Sequence, residues 1–95
     1  MERPKKKKVD YQALGSPFMR IPRMDVATAR DLLDIGLAEI YHLQGRSPES
    51  LFNDLQRLKP EAPADRLAMI RMAVYFAETP DPNPQLLQPS VWRNP

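Results

Sequence analysis

Proline placement constrains this chain more than any other feature. Eleven prolines stand against three glycines in 95 residues. Each proline removes a backbone donor and clashes with the preceding helical turn, so helices must be short and must start or stop at these residues. Prolines at 80, 82, 84, 89 and 95 crowd one end and forbid a helix longer than about one turn between Pro84 and Pro89. At the other end Lys5, Lys6, Lys7 and Lys8 follow Pro4, and Val9, Tyr11, Ala13 and Leu14 are too scattered to mark a buried face. The pattern predicts a flexible basic arm over 1–17, a compact domain over 18–78 and a Pro-rich tail over 79–95.

Within the compact stretch the spacing of apolar residues predicts an all-α fold of four to five short helices. Asp25 precedes Val26, Ala29, Leu32 and Leu33, which share one helical face, and its short carboxylate suits an N-cap. Gly36 supplies the left-handed residue that ends this helix, with Leu37 placed to fold back onto Leu32 as a Schellman motif allows. A short second segment over 38–44 is closed by Gly45. Ser47-Pro48-Glu49 is a strong start signal for a helix carrying Leu51, Phe52, Leu55 and Leu58 as its apolar stripe until Pro60. The last helix is expected over 63–78, where two adjoining apolar stripes cover more than half the circumference and leave Arg71, Tyr75 and Glu78 as a polar strip. Such a helix is central. Core packing is the simpler reading of Met69, Met72 and Phe76, with a partner or homodimer surface as the alternative. No stretch alternates with period two, so no strand is expected.

Composition removes several kinds of chemistry. There is no cysteine and one histidine, His42, so disulfides, thiolate nucleophiles and His-rich metal sites are excluded, and no metal or cofactor is expected. Three glycines leave no phosphate-cradling loop of the GxxxxGKS type. His42 reads as a surface or partly buried residue. Asp31, Asp34, Glu39 and Asp54 read as a solvated face. The longest apolar run is only Met72 to Ala77, which predicts a soluble, cytoplasmic protein with no membrane association.

An internal repeat carries the functional reading. Shifting the sequence by 22 residues lays Ile21-Pro22-Arg23-Met24-Asp25 over Leu43-Gln44-Gly45-Arg46-Ser47, with Ala29 and Leu33 matching Leu51 and Leu55. Each copy reads as an apolar residue, a tight connection, a cap and an amphipathic helix, the pattern of tandem helix-hairpin-helix units. Phe18-Met19-Arg20-Ile21-Pro22-Arg23-Met24-Asp25 with Ala29 and Leu32-Leu33 resembles the helix-hairpin-helix signature. The wider run Leu32 to Leu37, Leu43 to Phe52 and Ala73-Val74-Tyr75-Phe76-Ala77-Glu78 is similar to the small bacterial pathogenicity-locus family, sometimes labelled mitomycin resistance proteins. The resemblance covers about residues 18–78 and implies a fold of tandem hairpins with a DNA-binding role.

The departure from that signature matters physically. The motif's two glycines let a DNA phosphate reach free N–H groups at the start of a helix, where the dipole favours an anion. Here Arg23 and Asp25 occupy those positions. Asp25 takes the N–H groups as its own cap and repels phosphate, so the first hairpin reads as structural, with Arg20 and Arg23 offering side-chain contacts only. The second hairpin keeps Gly45, adds Arg46 and has the neutral Ser47 at its helix start, which makes it the candidate phosphate site. Gly45 and Ser47 acting only as helix stop and cap is the alternative. Lys5 to Lys8 add a polyanion-binding arm. Trp92, with Leu86, Leu87 and Val91, reads as an anchor docking on the body or as a partner motif. Charge is unevenly placed: residues 1–23 hold seven basic and two acidic groups, whereas 24–95 hold seven basic and ten acidic ones. The sequence therefore predicts a non-enzymatic module that binds DNA backbone without sequence selection, or a protein-interaction module on the same scaffold.

Overall fold

The computed structural model describes residues 9–93, and the Lys5 to Lys8 arm lies outside the described residues. Four α-helices, α1 (Tyr11–Leu14), α2 (Val26–Asp34), α3 (Pro48–Leu58) and α4 (Arg66–Glu78), are joined by short 3-10 turns, and no strand occurs among the described residues. The all-α class agrees with the helical spacing of the apolar residues. Helix α4 is the hub, packing against α3, α2, the 3-10 turn Ile40–Leu43 and the tail turn Pro89–Trp92. It begins at Arg66 rather than 63, because Pro63 to Asp65 enter through 3-10-type bonds such as Arg66 N–H to Pro63 O at 2.9 Å.

The expected caps are in place. Asp25 accepts from Thr28 N–H at 2.7 Å and Ser47 from Ser50 N–H at 3.2 Å, each satisfying a donor that the first helical turn leaves unpaired. Gly36 has φ +99, and Leu37 N–H reaches Leu32 O at 3.0 Å while Gly36 N–H reaches Leu33 O at 3.0 Å. That bond pair closes a Schellman motif. The core gathers Phe18, Ile21, Leu32, Leu43, Leu51, Leu55, Ile70 and Met72, all fully buried.

Three expectations are corrected. Residues 10–17, placed in the arm by the sequence pattern, are folded: Asp10 caps α1 by accepting from Ala13 N–H at 3.1 Å, Ala13 is fully buried, and the buried Ser16 Oγ donates to Ala13 O at 2.7 Å. The apolar positions here look scattered because α1 is a single turn that buries one small residue against α2. Leu58, expected in the α3 stripe, is 55% exposed; it sits in the last turn, where the following Lys59 turns inward instead. The carboxylates read as a solvated face converge in part: Asp31 is 6% exposed, and Lys59 Nζ lies 2.7 Å from both Asp31 and Asp34.

Those carboxylates belong to a charged ladder that ties α1, α2, the end of α3 and the start of α4 together. Arg30 bridges Asp10 at 2.8 Å and Asp34 at 3.0 Å, and Lys59 links Asp34 to Asp31. Arg66 Nε lies 2.7 Å from Asp31 Oδ2, yet its N–H is not aimed at that oxygen, so this contact is an ion pair rather than a hydrogen bond. Arg66 Nη1 does donate to Thr28 Oγ1 at 2.9 Å. Hydrogen bonds from Arg30 and Ala13 N–H hold the Asp10 carboxyl down to about 2. Burial pushes Asp34 up, but hydrogen bonds from Lys59 and Arg30 outweigh it and leave its pKa lowered. Burial likewise opposes the charge on Lys59, and the bonds to Asp31 and Asp34 raise it on balance.

The tail docks. Residues Pro84–Leu86 and Pro89–Trp92 form two 3-10 turns, and Leu87 is buried. Trp92 Nε1 donates to Leu86 O at 2.7 Å, Arg71 Nη1 to Trp92 O at 2.7 Å and Asn83 N–H to Tyr75 Oη at 2.8 Å. The polar strip of α4 thus receives the tail.

Candidate functional site

The 22-residue repeat is a repeat of backbone geometry. In the first copy Met24 N–H bonds to Ile21 O at 3.1 Å around Pro22 and Arg23, and in the second Arg46 N–H bonds to Leu43 O at 3.2 Å around Gln44 and Gly45. Gln44 has φ −65 and ψ 132 and Gly45 has φ +75, a type II turn; Arg23 has φ +67 at the matching position, preceded by the proline that such a turn favours. Arg23 is the one described non-glycine residue with positive φ. The cap follows two residues later in both copies, and α2 and α3 each start one residue after the cap.

The two turns differ in what satisfies them. Asp25 caps its own helix and lies 3.7 Å from Arg66 Nη1. In the second turn the Gly45 N–H donates to Glu78 Oε2 at 2.7 Å, and Gln44 Nε2 donates to Ala77 O at 2.9 Å, so the end of α4 clasps the turn from outside. With Arg46 N–H committed to Leu43 O and no N–H on Pro48, the amides expected to meet a phosphate at 45–48 are mostly engaged already. The glutamate comes from 33 residues away, and no local spacing signals it.

Beside this turn lies an open groove of about 580 Å³, lined by Arg46, Pro48, Glu49, Arg71, Val74, Tyr75, Glu78, Val91 and Trp92. Its wall is the Tyr75 and Trp92 pair, with ring centroids 5.4 Å apart and planes inclined by 38°. Arg71 is held by Glu49, with Nε and Nη2 each 3.2 Å from Oε2. The Glu49 carboxyl is lowered by its own backbone N–H and by Arg71. Among the described residues the Arg46 side chain has no ion-pair partner, so it is the uncommitted charge on the rim.

Of the remaining predicted residues, Arg20, Arg23, Gly45, Arg46 and Ser47 are exposed. Met69 and Met72 are buried in the core, Met72 completely, so they form no partner surface; Phe76 is half-buried against the same core. The stripe is wide because α4 has neighbours on several sides. Trp92 is half-buried through its docking. His42 is a backbone cap, its Nδ1 accepting from Ala38 N–H at 3.0 Å and Glu39 N–H at 3.1 Å. No group of three or more His, Cys, Asp or Glu is poised to hold a metal among the described residues, and no helix among them is long and apolar enough to cross a membrane. Measured against protein-family models, curated proteins and solved structures, the chain matches none.

Proposed function

We propose that this chain is a small non-enzymatic helix-hairpin-helix module of the pathogenicity-locus type, cytoplasmic, that holds DNA backbone without reading its sequence. The observation that carries the reading is the second turn. Its Gly45 N–H already holds a carboxylate oxygen at 2.7 Å beside Arg46, which has no ion-pair partner among the described residues, and a phosphate oxygen offers the same charge-assisted bond. The first turn, followed by the Asp25 cap, contributes only the Arg20 and Arg23 side chains, and the Lys5 to Lys8 arm adds diffuse attraction. Titration with duplex DNA at low salt tests it. Binding should weaken with salt by about 0.9 log units per log unit of salt for each phosphate neutralised, and Arg46→Glu should weaken it more than Arg23→Glu. Binding that ignores both changes but vanishes on deleting residues 2–9 would leave only the arm.

A second reading, a protein-interaction module or homodimer on a scaffold that has lost DNA binding, is favoured by one observation: internal carboxylates occupy the Thr28 amide at the start of α2 and the Gly45 amide of the second turn. Its surface is then the Trp92 groove, since the methionines are buried. Size-exclusion at several concentrations tests this reading, with Val91→Glu at the 43% exposed rim expected to dissolve a dimer without unfolding the chain.

A further inference from the structure

The second turn and the groove share one mouth, because Arg46 and Glu78 belong to both. The other rim charges are engaged in place: Glu78 accepts from the Gly45 N–H and Glu49 pairs with Arg71. Among the described residues, what remains for an occupant is one free cation, one displaceable anion position and an apolar wall of Val74, Tyr75, Val91 and Trp92. This combination fits a ligand with a flat apolar ring next to an anion. The rings are preorganised to receive it, since Trp92 Nε1 is tied to Leu86 O and Tyr75 Oη to the Asn83 N–H, so neither must be immobilised on binding. Their 5.4 Å separation is already a contact distance, so a base stacks on the outer side of the pair rather than between the rings. The volume of about 580 Å³ lies within the range of small-molecule sites.

The geometry points to an unpaired nucleotide as the occupant: a base of single-stranded DNA stacks against Tyr75 and Trp92, while its phosphate takes the Glu78 position at Gly45 N–H and pairs with Arg46. This rests on the nucleic-acid reading above and adds to it a preference for unpaired strands. A fully paired duplex has no free base for the groove, so it engages the turn alone. Stacking on aromatic side chains is sequence-tolerant, which keeps the interaction blind to sequence.

The chain contains one tryptophan, so its emission reports the groove directly. The full-length protein is titrated at low salt with short oligothymidylate and with a duplex of equal length. Oligothymidylate should quench Trp92 and the duplex should not. Trp92→Leu should lower single-strand affinity at least fivefold and leave duplex affinity within twofold, whereas Arg46→Glu should lower both. Should Trp92→Leu loosen the tail, Val91→Asp at the exposed rim should lower single-strand affinity selectively, and the wild-type quenching stands independently. Equal quenching by both nucleic acids, silence of Trp92, or equal losses for both in Trp92→Leu and Val91→Asp would overturn the inference while leaving duplex binding intact. Absence of binding to either nucleic acid would remove the parent reading as well. Tryptophan emission that changes with protein concentration alone would assign the groove to a second copy.

Discussion

The two turns follow the same backbone path with opposite chemistry. At the left-handed position the first turn places Arg23 and the second Gly45; at the cap the first places a charged Asp25 and the second a neutral Ser47. After the first turn Asp25 caps α2 by accepting from Thr28 N–H, whereas after the second Ser47 caps α3 and Glu78 arrives from α4 to accept from Gly45 N–H. Their surroundings differ in the same sense. Helix α2 is fastened by the ladder running from Asp10 to Arg66, whereas the second turn borders an open apolar groove whose Arg46 has no ion-pair partner among the described residues. A local carboxylate cannot leave without breaking a helix cap. A remote one can. The comparison therefore separates a turn that serves the fold from one that can serve a ligand.

The largest expected effect lies in the ladder. Removing Asp31 takes from the largely buried Arg66 its 2.7 Å partner and from Lys59 one of its two, so Asp31→Ala should cost about 3 kcal/mol in urea unfolding, near the lower end for breaking a buried pair because Asp34 still holds Lys59. Acid should mimic it. Asp10 and Asp34 have lowered folded-state pKa values, so their contribution is present above their unfolded pKa of about 4 and is lost as pH falls through the folded values, about 2 for Asp10. The raised Lys59 contributes below its unfolded pKa of about 10.4 and loses that contribution as pH rises through its folded value. Asp34→Asn should flatten the acid limb of a melting-temperature profile. A second-turn change such as Gly45→Ala should leave that limb alone, and an equal flattening would mean that the two regions are not independent.

Next in size are the paired substitutions at the left-handed position. Gly45→Ala meets nothing within 4 Å, so its cost is purely backbone strain, about 1–2 kcal/mol for an L-residue in that region. Arg23→Gly relieves the same strain at φ +67 but frees the unfolded chain, so a gain of less than about 1 kcal/mol is expected. Opposite signs in equilibrium unfolding would confirm that the turns share one conformation; a loss at both sites would show that Arg23 makes a stabilising contact which Gly45 lacks.

What the sequence made legible was whatever is local. Asp25, Gly36, Ser47 and Pro48 each act on residues within one helical turn, and their caps and stops appear where their chemistry places them. The 22-residue shift even laid Arg23 over Gly45, which marks a left-handed residue in retrospect. The sequence hid partners distant along the chain. Asp31 looked solvated because its partners Lys59 and Arg66 lie 28 and 35 residues on; Glu78 looked like the end of a polar strip because Gly45 lies 33 residues back. The methionine face was ambiguous for the same reason, since its burial depends on how many neighbours α4 collects.

The smallest expected change in stability carries the sharpest test of the comparison. Glu78 is exposed and makes one hydrogen bond to the turn, so Glu78→Ala should cost at most about 1 kcal/mol. It also removes a negative charge from beside Arg46 and vacates the Gly45 N–H. If the second turn is a ligand site held shut by an internal anion, this variant should bind duplex DNA about fivefold more tightly at low salt, and the gain should fade as salt screens the removed repulsion. The matching change in the first turn, Asp25→Ala, should lower stability by about 1–2 kcal/mol through loss of the cap and should not raise affinity by the same factor. Equal behaviour of the two variants, either both tighter or both merely less stable, would mean that the turns differ in composition only, and that neither carboxylate stands in for a phosphate.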